Sequence, residues 1–113
     1  MRNDDTVRLR HMIDAAETAG QFMAGREHAA LDADRMLLFA VVRAIEVVGE
    51  AATKVTDQTR AASPQIPWAA VVGMRNRLIH GYFNVNTELV WQTVSRELPA
   101  LVLALRPLLA DAD

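Results

Sequence analysis

The residues that could do chemistry gather in one short run, Gly73-Met74-Arg75-Asn76-Arg77-Leu78-Ile79-His80-Gly81-Tyr82. Arg75, Asn76, Arg77 and His80 place two permanent cations, an amide and a titratable base within six residues, a mixture suited to phosphate chemistry. Cleaving RNA requires a base to take the proton of the ribose 2′-hydroxyl, an acid to protonate the departing 5′-oxygen, and cations to offset charge on the pentavalent phosphorus. His80 is the candidate acid or base, since histidine is the side chain that trades protons near neutral pH. Arg75 can grip a phosphate with paired N–H donors, and Arg77 is a second phosphate-binding candidate. Asn76 precedes His80 by four residues, so on a continuous helix it would share that face and orient the imidazole or a phosphate oxygen. None of these roles needs a metal.

Each residue also has a plainer role. Projected on an ideal helix, Trp68, Val71, Val72, Leu78 and Ile79 form an apolar stripe with Arg75 near its centre, where a guanidinium needs an anion. Glu46 or Glu50 could supply the carboxylate and simply pin two helices together. His80 alone could satisfy the last carbonyls of its helix. Tyr82 could be an amphipathic side chain at a helix end with its hydroxyl outward. Arg75 and His80 stand about 140° apart on a regular helix. They converge only if the helix end distorts, Arg75 wraps round, or two subunits each contribute.

The elements that must position these residues are helical. Aromatic residues make up only 5% of the chain, and no segment alternates apolar and polar positions for long. Val7, Met12, Ile13, Ala16, Ala19 and Met23 predict a first helix over about residues 5 to 24, with Asn3, Asp4 and Asp5 as candidate caps and Gly25 as its stop. Asp32 is a candidate cap for a second helix running to about Thr56, with Leu38, Val41, Val42, Ile45, Val48 and Ala52 on one face. Arg43, Glu46 and Glu50 fall in its one narrow polar stripe, while Leu37, Val47 and Val55 extend the apolar surface round most of the remainder. That much apolar surface predicts self-association, hence a homodimer. Pro67 suits the first position of a third helix over about residues 67 to 80, which Gly81 terminates. Asn84 and Asn86 offer turn and cap chemistry before a fourth helix carrying Leu89, Val90, Val94, Leu98, Leu101, Leu105 and Leu108, with Pro99 expected to kink or break it. Trp68 and Trp91 read as core anchors. The predicted fold is a single all-α domain over residues 1–113, an antiparallel bundle of four main helices with a kinked C-terminal helix.

Composition narrows the function classes. With 113 residues, 51% of them hydrophobic and 23% charged, the chain has the size of one domain. Its 12 Lys+Arg against 14 Asp+Glu give a net charge of −2, which excludes nucleic-acid binding through a broad positive surface and confines any RNA contact to the neighbourhood of Arg75 and Arg77. There is no cysteine, which removes disulfides, thiolate zinc sites and cysteine nucleophiles and is compatible with a reducing cytoplasm. His11, His28 and His80 show no paired metal-ligand spacing, and Gly73 belongs to neither a phosphate loop nor a dinucleotide fingerprint, so no metal and no cofactor are expected. The N-terminal segment lacks the apolar core of a secretory signal, and the longest apolar runs are too short to span a bilayer. A cytoplasmic protein without membrane contact is the expectation.

The run from Arg75 to Tyr82, arginine, four residues, histidine, one residue, tyrosine, resembles the signature of the HepT-like family of HEPN-domain toxins. The resemblance extends to Arg43-Ala44-Ile45-Glu46-Val47-Val48-Gly49-Glu50-Ala51-Ala52, Ile66-Pro67-Trp68, Gly73-Met74-Arg75-Asn76, Val90-Trp91 and Leu98-Pro99, in order and spacing, over nearly the whole chain. It implies a HEPN fold, a homodimer, and a metal-independent endoribonuclease whose two motifs meet in a cleft at the dimer interface, with Arg75 and His80 catalytic and Asn76 the polar residue inside the motif. It further implies an MntA-like minimal nucleotidyltransferase antitoxin that transfers AMP to the tyrosine, here Tyr82. Such an adduct sets bulk and negative charge beside the phosphate cleft. Glu46 and Glu50 are assigned to holding Arg75 or Arg43 in place. One departure stands out: where the family has Tyr-x-x-Val-Asp, this chain has Tyr82-Phe83-Asn84-Val85-Asn86. The substrate would be RNA, transfer or messenger. The rival reading is a non-catalytic, nucleotide-binding or regulatory helical partner of a nucleotidyltransferase that uses the same cleft.

Overall fold

A computed structural model describes residues 1–80 and 84–112, without the side chains of His80, Asp111 and Ala112. Tyr82, the expected AMP acceptor, lies outside the described residues together with Gly81 and Phe83. The protein is mostly helical: α1 (Asn3–Phe22), α2 (His28–Ala33), α3 (Arg35–Thr53), α4 (Asp57–Ala62), α5 (Trp68–Val72), α6 (Met74–Leu78), α7 (Thr87–Gln92), a π turn (Thr93–Glu97) and α8 (Leu98–Ala112). A two-residue antiparallel pair, β1 (Ile79–His80) with β2 (Asn84–Val85), matches Ile79 to Val85 and His80 to Asn84.

The core forms where α1 lies against α3 and α8. Leu9, Met12 and Ala19 from α1, Val41, Ile45, Val48 and Ala52 from α3, and Leu98 and Leu105 from α8 are buried, at the three-and-four spacing of helices that each turn one face inward. Val7, expected on the inner face of α1, is instead exposed. The expected caps Asn3, Asp4 and Asp5 do not cap α1, whose N-cap is Arg2. Asp5 is wholly buried and reaches across the fold: it accepts hydrogen bonds from Thr56 N–H at 3.0 Å, from the Thr56 hydroxyl at 2.6 Å and from the Thr59 hydroxyl. Burial pushes its carboxyl up, but these bonds from Thr56 and Thr59, with the nearby Arg2 charge, outweigh burial and hold it below the usual carboxylate value. Gly25, at φ 73°, takes the left-handed turn that follows α1.

The second expected helix, from Asp32 to about Thr56, is α3, which starts later at Arg35 and ends at Thr53, with the short α2 a separate helix before it. Asp34 leaves the helical region at φ −128°, ψ 99°, and its Oδ1 accepts from Leu37 N–H at 3.1 Å, capping α3. The cap is thus Asp34 and not Asp32. At the far end of α3, the Arg60 guanidinium donates to Ala52 O at 2.7 Å, which also accepts Val55 N–H, and to Val55 O at 3.2 Å. Arg60 also lies over the Trp68 ring at 5.8 Å, and Trp68 Nε1–H donates to Ser63 O at 3.1 Å, which fixes the approach to α5.

The third expected helix is interrupted at Gly73 (φ −84°, ψ 1°) and stops at Leu78, two residues early, because Ile79 is extended (φ −118°, ψ 125°) and pairs with β2. Asn86 N–H donates to Leu78 O at 2.7 Å, sealing that end. Pro99 does not break the last helix. Proline offers no N–H and crowds the preceding turn, and the chain answers with the wider π turn just ahead of it, in which Leu98 N–H reaches back five residues to Thr93 O. The Thr93 and Ser95 hydroxyls donate to Leu89 O at 2.7 Å and Trp91 O at 2.6 Å. No helix among the described residues is long and apolar enough to cross a membrane.

Candidate functional site

Helix α6 is five residues long and is held by its two buried side chains, Met74 and Leu78. Its remaining residues, Arg75, Asn76 and Arg77, all face solvent. Arg75 therefore does not sit in the middle of an apolar stripe. The kink at Gly73 changes the helical phase between Trp68–Val72 and Met74–Leu78, and the arginine emerges with half of its side chain exposed. Arg75 Nε donates to Glu46 Oε2 at 2.9 Å, and Glu46 projects from α3 with its side chain 24% exposed. Of five guanidinium donors, this bond uses one.

Glu50, the other carboxylate of the same stripe, does not meet Arg75. It accepts from Arg43 Nη1 at 3.1 Å, seven residues back on α3, with both side chains mostly exposed. Arg77 follows Arg75 by two positions and so leaves α6 about 200° round the axis. It pairs with Glu97 of the π turn, Nη2 to Oε1 at 3.1 Å. Glu97 Oε2 lies 3.1 Å from the Thr93 hydroxyl, whose one proton it shares with Leu89 O. The two motif cations are thus engaged by carboxylates on different elements, and only Arg75 stands on the α3 side.

Asn76 makes no hydrogen bond among the described residues. The helical facing expected between Asn76 and His80 does not arise, because the helix ends at Leu78 and His80 continues as strand. A distorted helix end was one of three ways to relieve the 140° separation of Arg75 and His80, and the chain has that distortion. The strand pair returns the chain to Asn86, whose Oδ1 accepts from Leu89 N–H at 3.1 Å and caps α7, the cap role expected of it.

Beside β2, Arg35, Leu38 and Phe39 of α3 with Asn84 and Val85 line a cavity of about 240 Å³. Phe39 is 60% exposed and Met36, one turn earlier, 82%. Met36, Phe39, Arg43, Glu46 and Glu50 succeed one another at three-and-four spacing, so the outer stripe of α3 passes from apolar to charged as it reaches Arg75. Sequence reasoning assigned α3 a broad apolar surface but named Leu37, Val47 and Val55, of which Leu37 and Val55 are buried and Val47 partly so. The residues left uncovered are Met36 and Phe39, legible only once the α3 start at Asp34 is known. Among the described residues no group of His, Asp and Glu side chains is arranged to hold a metal ion.

Comparison with known proteins gives the family of the chain. A family model described as ribonuclease HepT-like matches residues 12–108. The chain is 40% identical to "Probable ribonuclease HepT" of Thermococcus cleftensis over 60% of this chain and 62% of that protein, and so spans less than two thirds of that relative's length. It is 33% identical to "Putative RNase TTE0752" of Caldanaerobacter subterraneus subsp. tengcongensis over 82% of this chain and 83% of that protein. It is 30% identical to "Putative RNase MJ1380" of Methanocaldococcus jannaschii over 88% and 92% respectively. No solved structure matches. With the family model covering the helices from α1 to α8 and the whole Arg75-to-Tyr82 run, the chain belongs to the HepT-like ribonuclease family.

Proposed function

We propose that this protein is a metal-independent endoribonuclease that acts as the toxin of a toxin–antitoxin pair. The observation that carries the reading is Arg75: a half-exposed guanidinium beside the helix end that leads into His80, with four of its five donors uncommitted among the described residues. In the reaction, the ribose 2′-oxygen forms a bond to phosphorus and the bond from phosphorus to the 5′-oxygen breaks. The 2′-hydroxyl proton goes to a base, and an acid gives a proton to the 5′-oxygen. Arg75 offsets charge on the phosphoryl oxygens. His80 is the acid or base, and Asn76 orients the imidazole or the phosphate.

The working unit is a homodimer of four-helix HEPN bundles, joined along the outer stripe of α3. Met36 and Phe39 supply apolar contact there and Arg43, Glu46 and Glu50 its polar margin, so each subunit brings one Arg75 and one His80 to a shared cleft. An MntA-like minimal nucleotidyltransferase neutralises the toxin by transferring AMP to Tyr82, whose added charge repels the RNA phosphates. A reducing cytoplasm is the compartment.

The experiment is cleavage of cellular RNA by protein made without antitoxin, in excess EDTA, comparing wild type with Arg75→Ala and His80→Ala while checking dimer content. Cleavage by wild type that both variants lose supports the reading. No cleavage of transfer or messenger RNA by correctly dimeric wild type overturns it in favour of a non-catalytic nucleotide-binding partner.

A further inference from the structure

The outer stripe of α3 lies between two neighbours. Helices α5 and α6 pack on one side, where the backbone of Val71 and Val72 closes on Gly49, and Arg75 reaches the stripe from there to bond Glu46. On the other side runs α1, whose Arg8 and His11 meet Val47, Glu50, Ala51 and Lys54 of α3 and its C-cap round an open recess of about 220 Å³. Arg8, His11 and Lys54 make no ion pair or side-chain hydrogen bond among the described residues. The one carboxylate of the lining, Glu50, already accepts from Arg43 Nη1 at 3.1 Å. The acids one turn away are placed elsewhere: Asp4 pairs with Arg2 at 3.9 Å, Asp5 is turned inward to Thr56 and Thr59, Asp14 is exposed on α1, and Asp57 belongs to the first turn of α4.

Two permanent cations without a counter-ion, on a chain whose net charge is −2, concentrate positive potential at this one place. Liquid water takes about 30 Å³ per molecule, so the recess holds several waters, or one phosphate with part of its sugar. It also continues a path from Arg75. Arg43 stands between them, and Lys54 follows Glu46 by eight residues, about 12 Å along the helix axis. Met36 lies about 27 Å back along α3, which puts the recess at the opposite end of the stripe from the apolar dimer contact. We propose that the recess is an accessory phosphate subsite for RNA: Arg8 and Lys54 hold a backbone phosphate some nucleotides away from the bond that is cut, and His11 hydrogen-bonds to it. Such a contact reads no base; it fixes the course of the strand across α3 and favours substrates long enough to reach it. The inference rests on the ribonuclease reading for the identity of the strand.

Binding and cleavage test it separately, with dimer content followed for every variant. Binding is read by fluorescence anisotropy on a labelled single strand of about a dozen nucleotides, within the span of single-strand sites, made wholly of 2′-O-methyl RNA so that no attacking hydroxyl remains. Over a salt series, the double variant Arg8→Gln, Lys54→Gln lowers the slope of log affinity against log salt by about 0.7 for the one phosphate lost, a weakening of about fivefold at about 0.1 M relative to about 1 M salt. Arg26→Gln, which removes an exposed cation beyond the opposite end of α1, leaves the slope unchanged. On unmodified RNA of the same length the double variant raises KM several-fold and keeps kcat, and on a dinucleotide, too short to reach the recess, it matches wild type. No binding by wild type, an unchanged slope in the double variant, an equal drop in Arg26→Gln, or weakened binding that tracks loss of dimer overturns the subsite. Wild type that shows the slope difference but cuts nothing strikes the ribonuclease reading and leaves the subsite standing.

Discussion

Replacing Arg75 by alanine separates a structural pin from a catalytic cation by two numbers of different size. Were the guanidinium buried against a buried glutamate, its loss would cost about 3–5 kcal/mol, because an uncompensated charge would stay inside. Here the Arg75 side chain is 50% exposed and Glu46 24% exposed, so water covers part of the orphaned carboxylate. An ion pair of that exposure, even with a short bond from Nε, contributes about 0.5–1.5 kcal/mol. Removing a preorganised donor to a charged transition state lowers the rate about 10²- to 10³-fold, equivalent to about 2.7–4 kcal/mol. Arg75→Ala should therefore lose more in cleavage than in stability. Urea unfolding at several protein concentrations separates monomer stability from dimer dissociation, and initial rates on a labelled RNA give the other number. Glu46→Gln completes the comparison: it should lower stability by no more than Arg75→Ala does and leave most of the cleavage intact. A stability loss of about 3 kcal/mol or more with cleavage retained would refute the reasoning and make Arg75 a pin.

Three further outcomes follow from contacts elsewhere. Asp5→Ala strands Thr56 N–H and two hydroxyls and should cost about 2–4 kcal/mol in denaturant unfolding. Since the folded Asp5 carboxyl is held low, its contribution is complete above the ordinary carboxylate range and is lost as pH falls through the folded value; Asp5→Asn should flatten that acid limb of the stability curve. Thr93→Val removes the one hydroxyl proton that Leu89 O at 2.7 Å and Glu97 at 3.1 Å share, and should cost about 1 kcal/mol by the same assay.

The helical character of the chain was legible because α1 and α3 carry sustained three-and-four apolar spacing, and burial of Met12, Ile45 and Val48 follows from it. The breaks were not, and the reason is distance along the chain. Asp32 and Asp34 are both acceptable caps locally; what decides between them is that Thr87, 55 residues away, engages the Asp32 carboxylate. The early end of α6 likewise depends on Val85 and Asn86 returning to pair with it. Asp5 looked like a cap because an acid near a helix start usually is one, and its partners lie 51 and 54 residues ahead. At the candidate site, residue types alone nominated Arg75, Arg77, Glu46 and Glu50. They did not reveal that Glu46 rather than Glu50 meets Arg75, a choice set by the re-phasing at Gly73.

The π turn before Pro99 also acts as a gear between two helices that need different orientations. One residue more than an α-helix would use is taken up there, which advances everything downstream by about 100°. Upstream of it, α7 addresses α2 and α6; downstream, α8 addresses α1. Wound as a regular α-helix, the same residues would carry Leu101 and Leu105 about 100° away from the core, whereas deleting a single residue between Thr93 and Glu97 would leave a smoother helix on which both still face it. The irregularity is therefore what lets one continuous stretch of chain serve both the end of the molecule that carries α6 and its central packing.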